Sequence, residues 1–301
     1  MRAGARRDRT GRALLTPARG RHLLIRVPAS SANLGPGFDV LAAALGCHLQ
    51  LELLQTGTFG VQSELAIPRD RSNLVVRAFE LLAPADEFEF RIASQIPLCG
   101  GLGSSAAAIV AGLSAAEHLL ASGGDVGGLA TELEGHPDNV AAALRGGLIV
   151  CDRERIHRFE APSGLEAVLV LPDRAVPTSQ ARAALPASVP IADAVFNVAH
   201  TAMLTLGLAR GDWELIAAGL DDRLHQPHRA HLYPRSAELR VRARSLGALG
   251  ATISSAGPSV LFWCRSERTG EVMAALEREA RGWARVMRMA FETRGVEVRE
   301  L

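Results

Sequence analysis

Hydrophobic and polar positions first divide the chain into short periodic segments. Apolar and polar side chains alternate, as in half-buried strands, at residues 23–27, 49–53 and 88–92. Alanine-rich runs that predict helices lie at residues 73–82, 105–120 and 139–145. The last run ends at Gly146 and Gly147, where a helix commonly takes a left-handed residue. Because strands and helices do not alternate strictly, the pattern predicts an α+β fold.

The second half of the chain repeats this mixture after a change of composition. A strand is predicted at 167–171, and the segment 172–190 is rich in Pro, Ala and Ser. Further predicted elements are helices at 195–208, 213–224 and 267–280 and strands at 260–264 and 286–289. We therefore expect two domains, residues 22–160 and 161–301.

Composition narrows the class of partner. The chain has 301 residues, of which 48% are hydrophobic and 22% charged, a globular composition. Its net charge of +1 supplies no bulk attraction to nucleic acid or to an anionic membrane. We expect a small-molecule partner, with neither nucleic acid nor membrane.

The basic and sulfur-containing residues exclude several chemistries. All 33 basic residues are Arg, so Schiff-base chemistry and the lysine of a Walker A loop are excluded. The four cysteines are far apart and show no zinc or disulfide spacing. We expect a reducing, cytoplasmic location.

The first 21 residues differ from the rest of the chain. They contain seven Arg and one acidic residue, and they have no hydrophobic segment of a secretory signal. A disordered extension or a misassigned start codon is favoured over a transit peptide. No stretch in the chain approaches the length of about 20 apolar residues that a membrane span needs.

The most specific segment is a glycine-dense turn that leads into an alanine-rich helix. It reads PLCGGLGSSA and comprises Pro97, Leu98, Cys99, Gly100, Gly101, Leu102, Gly103, Ser104, Ser105 and Ala106. Glycines allow the backbone to approach a phosphate closely, and the free N–H groups at a helix start favour an anion. The serine hydroxyls can cap the helix or coordinate a Mg²⁺ that accompanies a triphosphate.

Two polar segments add candidate ligands. Residues 28–39 read PASSANLGPGFD, in which Asn33 can donate and accept hydrogen bonds and Asp39 suits a substrate ammonium group. Residues 134–139 read EGHPDN, a dense cluster in which Asp138 is expected to be a helix N-cap. Read alone, the Asn and Asp of the first segment are better explained as loop caps than as ligands.

These three segments, in this order and with a later ATISSAGPSV, resemble the motifs of the GHMP family of small-molecule kinases, and within it the branch whose acceptor is homoserine. The resemblance extends from about residue 23 to residue 265. It implies an N-terminal domain like domain 2 of ribosomal protein S5 and a ferredoxin-like C-terminal domain. It also implies transfer of the γ-phosphate of ATP to the hydroxyl of L-homoserine, with Mg²⁺, a step toward threonine, by a homodimer.

The resemblance assigns roles around the nucleotide. The backbone of Gly100 to Ser105 wraps the phosphates, and Asn73 lines the adenine pocket. Ser105 and Glu134 hold the metal ion, with Glu132 as the weaker alternative.

The resemblance also assigns the amino-acid site. Asp39 binds the ammonium group, Arg182 and Arg229 bind the carboxylate, and the side-chain hydroxyl is surrounded by Asn33, His136 and Asn139. Charge complementarity agrees, since a guanidinium fork suits a carboxylate. By composition alone, both arginines are better explained as surface residues, because every basic position of this chain is Arg.

The resemblance implies that other branches of the family use a catalytic Asp and Lys pair, which cannot form here because the chain has no Lys. No dedicated base is evident, so we expect positioning and electrostatic stabilisation, with Asn33 and Asn139 at the nucleophile. The proton then leaves late, to a phosphate oxygen or to water.

Two features depart from the simplest interpretation. Ser255 stands where the family usually has glycine, which predicts strain if that position needs a positive φ. His225, His228 and His231 are spaced by three, but Pro227 opposes a regular helix, so they are interpreted as incidental.

Two other functions remain open. One is a GHMP kinase that acts on a different small hydroxylated metabolite. The other is a nucleotide-binding regulator that keeps the fold without turnover.

Overall fold

The computed structural model describes residues 20–98, 100–152 and 155–301. Its strands are β1 (His22–Ala32), β2 (Leu41–Gln55), β3 (Gly60–Ser63), β4 (Phe88–Ser94), β5 (Leu148–Cys151), β6 (Ile156–Phe159), β7 (Leu165–Pro172), β8 (Gly250–Ile253), β9 (Val260–Arg265), β10 (Ala284–Met289) and β11 (Glu297–Glu300). Its helices are α1 (Leu74–Glu80), α2 (Ser104–Leu120), α3 (Val126–Glu134), α4 (Asp138–Arg145), α5 (Thr178–Ala183), α6 (Ile191–Arg210), α7 (Trp213–Gly219), α8 (Gln226–Arg229), α9 (Pro234–Val241) and α10 (Thr269–Glu279). The predictions for Cys99 and for most of the N-terminal tail lie outside these residues.

The first sheet has the order β11-β1-β2-β4-β3, and β5 and β6 extend it beside the first part of β2. Alternate residues such as Ile25, Leu51 and Phe90 are fully buried on the face covered by helices. The pairing of β1 with β2 shifts register between Pro28 and Ala29. From Ala29 to Ala32 every residue of β1 is buried. There α4 packs against the face of the sheet that is exposed to solvent earlier in β1.

The second sheet is antiparallel, with the order β10-β7-β9-β8. Its buried residues Val168 and Phe262 pack with Leu239 of α9 and Leu276 of α10. The α+β class is therefore as predicted.

The predicted boundary at residue 160 falls between the two sheets, but the end of the chain crosses it. Strand β11 pairs antiparallel with β1, and Leu24 lies opposite Arg299. The last residues therefore belong to the first sheet, which corrects the range 161–301 for the second domain. A four-residue edge strand carries no signal of its own partner, so the sequence pattern could not reveal this pairing.

Three helices differ from their predictions. The Pro-, Ala- and Ser-rich segment contains α5, which carries Arg182, and α7 ends at Gly219 instead of residue 224. Helix α6 is longer than predicted, and it is long and apolar enough, by length and composition, to cross a membrane, with a mean hydropathy of 1.3. This finding corrects the expectation that no segment approaches a membrane span.

Candidate active site

A cleft of about 360 Å³ lies where the two domains face each other. The N-terminal domain contributes three segments to its lining: parts of 33–39 and 133–139, and all of 101–105. The C-terminal domain contributes a group that includes Arg182, Arg229 and Ser255. The phosphate, metal and amino-acid residues predicted from separate segments are thus brought together around one cavity.

The glycine loop presents the start of α2 to this cleft. Gly103 is the N-cap residue with φ of 64°, and no side chain caps the helix. The carbonyl oxygens of Gly100, Gly101 and Leu102 accept hydrogen bonds from Ser259 Oγ, Ser254 Oγ and the N–H of Ser30. Since the loop's carbonyls face the protein, the N–H groups of the first turn remain for an anion.

The glycine at position 101 is required by a neighbouring loop. Gly101 has φ of 71°, and a Cβ there would lie 2.5 Å from the carbonyl oxygen of Ser254. The C-terminal domain therefore contacts the phosphate loop directly. From the sequence, we attributed this glycine to the close approach of a phosphate. The close approach of the backbone at Ser254 is sufficient to require glycine here.

The predicted metal ligands are adjacent. Ser105 Oγ donates a hydrogen bond of 2.6 Å to Glu134 Oε2 at the mouth of α2. Burial raises the pKa of the Glu134 carboxyl above its usual value, although the bond from Ser105 opposes this. Both are hard oxygen donors of the kind that Mg²⁺ prefers, so the pair fits the ion. Glu132 is exposed and does not line the cleft.

His136 and Asp138 form a second pair. His136 Nδ1 lies 2.6 Å from Asp138 Oδ1, and this bond is the main cause that raises the pKa of His136. Asp138 also accepts the N–H of Asn139, and its side chain is almost fully buried. Asp138 is the first residue of α4, not the predicted N-cap; it orients the imidazole.

Asn139 is held by its carbonyl oxygen. Oδ1 accepts hydrogen bonds from Ser30 Oγ at 2.8 Å and from Ser255 Oγ at 3.4 Å. The side chain can therefore offer only its Nδ2 donor to the cleft. This arrangement excludes Asn139 as an acceptor of the substrate's proton.

The predicted catalytic role of Asn33 is not supported by its contacts. Asn33 Nδ2 donates to the carbonyl oxygen of Ser255 at 2.8 Å, and Oδ1 accepts the N–H of Asp39 at 3.0 Å. Both ends of the amide are thus bound to protein. Asn33 has φ of 72°. It joins the loop between β1 and β2, residues 33–40, to the C-terminal domain; we call this segment the substrate loop.

The charged ligands predicted for the amino acid lie on one side of the cleft. Asp39 and Arg182 form an ion pair. Arg229 is 2% exposed and, within the part of the chain that the structure describes, has no carboxylate within ion-pair distance. The ring of Phe38 lies 5.4 Å from the guanidinium carbon of Arg229. A buried cation without a carboxylate favours an anionic ligand.

Some predicted nucleotide residues are not at the cleft. Asn73 caps α1 by accepting the N–H of Val75 and also donates to the carbonyl oxygen of Pro68, so its amide is already bound. Pro97, Leu98, Gly100 and Ala106 flank the loop without lining the cavity. Their part is to shape the turn.

Three residues of the site were not predicted from the sequence. Ser30, Phe38 and Thr178 contact or line the site, and the last two are separated by 140 positions in the sequence. Only their presence inside or beside the motifs could have indicated them. His225 corrects an interpretation, because it is fully buried and bonded, whereas His228 and His231 are exposed as expected.

The strain predicted at Ser255 is present. Its φ is 51°, in the region that favours glycine. Its Oγ accepts the buried N–H of Ala32 at 3.0 Å, an interaction that glycine could not make.

Family models for two domains match the chain. The model described as GHMP kinases N terminal domain matches residues 73–147, and the one described as GHMP kinases C terminal matches residues 204–281. The chain is 40% identical over 272 residues to the homoserine kinase of Moorella thermoacetica, covering 84% of this chain and 91% of the relative. It is 42% identical over 275 residues to a homoserine kinase from a Synechococcus strain, covering 84% and 89%.

Solved structures give the same relationship. The homoserine kinase from Cytophaga hutchinsonii superposes with a TM-score of 0.82 at 28% identity, covering 95% of this chain and 100% of that one. A mevalonate kinase superposes with a TM-score of 0.66 at 15% identity, covering 90% and 99%, a likeness of fold alone. From its sequence, its fold and the cleft between its domains, this chain belongs to the GHMP kinase family and, within it, to the homoserine kinases.

Proposed function

We propose that the protein is an ATP-dependent kinase that transfers the γ-phosphate of ATP to the side-chain hydroxyl of L-homoserine, giving O-phospho-L-homoserine and ADP for threonine biosynthesis. The observation that carries the proposal is one cleft that combines an uncapped helix start with a carboxylate and two guanidinium groups. The first feature suits a triphosphate and the second suits a zwitterion.

The amino acid is recognised by charge. Arg229 is buried and has no carboxylate partner among the described residues, so the substrate carboxylate supplies the missing negative charge. Arg182 adds a second fork near the mouth of the cleft, and Asp39 faces the ammonium group. This combination disfavours neutral acceptors such as sugars.

Ser105 and Glu134 are the residues that hold Mg²⁺. When bound, the ion neutralises charge on the phosphates. The two side chains would supply oxygen ligands to the ion.

The chain's own contribution to phosphoryl transfer is positioning. Asn139 Nδ2 donates toward the reacting oxygens, because its Oδ1 is held by Ser30 and Ser255. Asp138 Oδ1 contacts His136 and accepts the N–H of Asn139, so Asp138 orients both of these residues. The hydroxyl proton leaves late, to a phosphate oxygen or to water, and backbone N–H groups of α2 stabilise the developing charge.

An ADP-release assay tests this function. L-homoserine is compared with mevalonate, galactose, shikimate, threonine and serine at equal concentration. We expect homoserine to give the highest kcat/KM by a wide margin. A higher value for another alcohol would assign a different GHMP kinase, and ATP binding without ADP release for any acceptor would assign a regulator.

We propose a homodimer in which α6 pairs with α6 of a second copy. Its exposed residues Ile191, Val195, Val198 and Leu206 lie on one side of the helix, at spacings of three, four and eight. Such an apolar face is unusual on a monomer.

Charge favours an antiparallel pair, since Asp193 near the N-terminus of one helix would approach Arg210 at the C-terminus of the other. Light scattering after gel filtration should give a dimer mass for the wild type and a monomer mass for Val198→Glu. A wild-type monomer, or a mutant dimer, would contradict this.

A cytoplasmic location is supported by the thiols. Cys47, Cys151 and Cys264 are buried and free. Burial raises their pKa values to about 11, 12 and 12, so they are unreactive thiols that suit a reducing compartment.

A further inference from the structure

His225 lies between the substrate loop and Arg229. Its side chain is fully buried at the start of α8. Nε2 lies 2.7 Å from the carbonyl oxygen of Gly35, and Nδ1 lies 3.2 Å from Nη1 of Arg229. One imidazole ring therefore contacts both the loop that carries Asp39 and the buried guanidinium.

These two contacts require one protonation state. A carbonyl oxygen can only accept, so Nε2 must carry a proton and donate to Gly35. A guanidinium can only donate, so Nδ1 of His225 must be unprotonated to accept from Arg229. Only the neutral Nε2–H tautomer satisfies both partners, because an imidazolium would place an N–H group against the guanidinium.

The contacts of Arg229 determine where its free end points. Nε donates to the carbonyl oxygen of Ala181 at 2.9 Å, and Nη1 donates to His225 and to the carbonyl oxygen of Ser255 at 3.4 Å. Among the described residues, Nη2 has no hydrogen-bond partner. In the described ranges, His225 is the side chain that accepts a hydrogen bond from Arg229, which leaves Nη2 for a ligand in the cleft that Arg229 lines.

The other contact of His225 holds the substrate loop. Its partner Gly35 has φ of 82° and is followed by Pro36, whose carbonyl oxygen accepts hydrogen bonds of 3.0 Å from Asn197 Nδ2 and Thr201 Oγ1 of α6. The loop is therefore anchored to the C-terminal domain on both sides of the Gly35–Pro36 bond.

The backbone of His225 is fixed as well. Asp222 accepts the N–H groups of His225 at 3.1 Å and of Gln226 at 2.7 Å through Oδ2. Its Oδ1 accepts from Asn197 Nδ2 at 2.8 Å. The imidazole is consequently a rigid spacer and not a mobile side chain.

We infer that His225, as the neutral Nε2–H tautomer, is a positioning residue that sets the spacing between Asp39 and Arg229 and so determines the affinity for the zwitterionic amino acid. This inference rests on the proposed function. His225 does not line the cleft, and it acts through Asp39 and Arg229, which do.

The surroundings of the ring keep it neutral. Burial is the largest influence, and it lowers the pKa of His225; the charges of Arg229 and Arg240 lower it further, while Asp222 and the bond to Gly35 oppose them. The net direction is downward, so the ring becomes charged only below its usual titration range. Acid should therefore weaken homoserine binding before it affects ATP.

The test compares His225→Phe, which removes both hydrogen bonds, with His225→Gln, which keeps one donor and one acceptor and does not titrate. His228→Phe and His228→Gln are matched controls at an exposed position of the same segment. We expect His225→Phe to raise KM for homoserine by about tenfold or more while KM for ATP stays within about twofold. His225→Gln should recover most of the affinity, and the controls should match the wild type.

A double-mutant cycle separates positioning from a general structural effect. If His225 acts partly through Arg229, adding His225→Phe should raise KM for homoserine by a clearly smaller factor in Arg229→Ala than in the wild type. The inference would be overturned if His225→Phe raised KM for homoserine by the same factor with and without Arg229. It would also be overturned if His225→Phe raised KM for ATP as much as KM for homoserine. If His225→Phe does not fold, the pH profile of His225→Gln decides: its acid-side fall in kcat/KM for homoserine must shift to lower pH than in the wild type, and an unchanged profile would overturn the inference.

The two proposals fail in different ways. A wild-type protein that does not phosphorylate homoserine would refute the proposed function. A wild-type protein that does so, with His225→Phe indistinguishable from His228→Phe, would refute only the role of His225.

Discussion

The carboxylate of Asp39 meets the guanidinium of Arg182 side by side, with Nη1 3.2 Å from Oδ2 and Nη2 3.3 Å from Oδ1. Each residue is therefore neutralised by the other in the free protein. Their side chains are 36% and 47% exposed, and exposed pairs contribute only about 0–1 kcal/mol. A zwitterionic substrate can separate the pair at little cost in free energy. Its ammonium group then pairs with Asp39, and its carboxylate pairs with Arg182.

The two substrate arginines should differ in effect. Arg229→Ala should raise KM for homoserine roughly 10- to 150-fold, since a charge-assisted hydrogen bond contributes about 1.5–3 kcal/mol. Arg182→Ala should have a smaller effect, because Arg182 is half exposed. Steady-state kinetics with both substrates varied would measure this.

Arg242→Ala, at an exposed ion pair with Glu279, is the control and should leave both KM values unchanged. If Arg229→Ala raised KM for ATP as much as KM for homoserine, the buried arginine would be structural.

The glycine loop can be tested with a matched pair. Gly101→Ala combines a positive φ with a Cβ 2.5 Å from Ser254, whereas Gly123→Ala has φ of 70° and no atom near its Cβ. Gly123→Ala should cost about 1 kcal/mol of stability, and Gly101→Ala should cost more and lower ATP affinity. Urea denaturation and nucleotide titration would measure both, and equal losses for the two variants would remove the packing argument.

If Ser105 and Glu134 both bind Mg²⁺, removing either side chain should impair activity and its dependence on the ion. Ser105→Ala and Glu134→Gln should each lower kcat and raise the Mg²⁺ concentration needed for half-maximal activity. Glu132→Gln, outside the cleft, is the control. Unchanged Mg²⁺ titrations for Ser105→Ala and Glu134→Gln would exclude these two side chains as ligands.

Ser255 opposes strain with a hydrogen bond. Ser255→Ala should lose about 1–3 kcal/mol, because the buried N–H of Ala32 loses its acceptor. Ser255→Gly should be more stable than Ser255→Ala by about 1 kcal/mol, since glycine relieves the positive φ, yet less stable than the wild type. Urea denaturation without ligands tests this order. A Ser255→Gly variant more stable than the wild type would show that the hydrogen bond of the hydroxyl contributes less than the strain at this position costs.

The pair of His136 and Asp138 predicts a pH dependence of stability. The bond raises the pKa of His136 in the folded state, so its contribution is complete below about 6.5 and is lost as pH rises through the raised value. The free energy of unfolding of the wild type should therefore exceed that of His136→Gln by more at pH 6 than at pH 9. A difference that is constant, or larger at pH 9, would contradict the assignment.

Local patterns were sufficient for three strands of the first sheet, β1, β2 and β4, and for the glycine loop. The turn before α2 and the alternation in β2 depend on neighbouring residues, so both could be predicted from the sequence. The pairing of β11 with β1 depends on residues more than 270 positions apart, which no periodicity records.

The roles of side chains in the cleft were harder to predict. Asn33 lay in the right segment, but its partner Ser255 is 222 positions away, so a binding role could not be distinguished from a structural one. His225 was misread for the same reason, because its partner Gly35 is 190 positions away. Residue types indicated which groups belong to the site, while long-range contacts decide what each of them does.

The most direct measurement of the central claim is a crystal structure of the protein with homoserine and a non-hydrolysable ATP analogue. The account predicts the triphosphate at the N–H groups of Gly101 to Ser105, the substrate carboxylate on Arg182 and Arg229, and the ammonium group on Asp39. A structure with the nucleotide elsewhere, or with the amino acid bound away from Asp39 and Arg229, would contradict it.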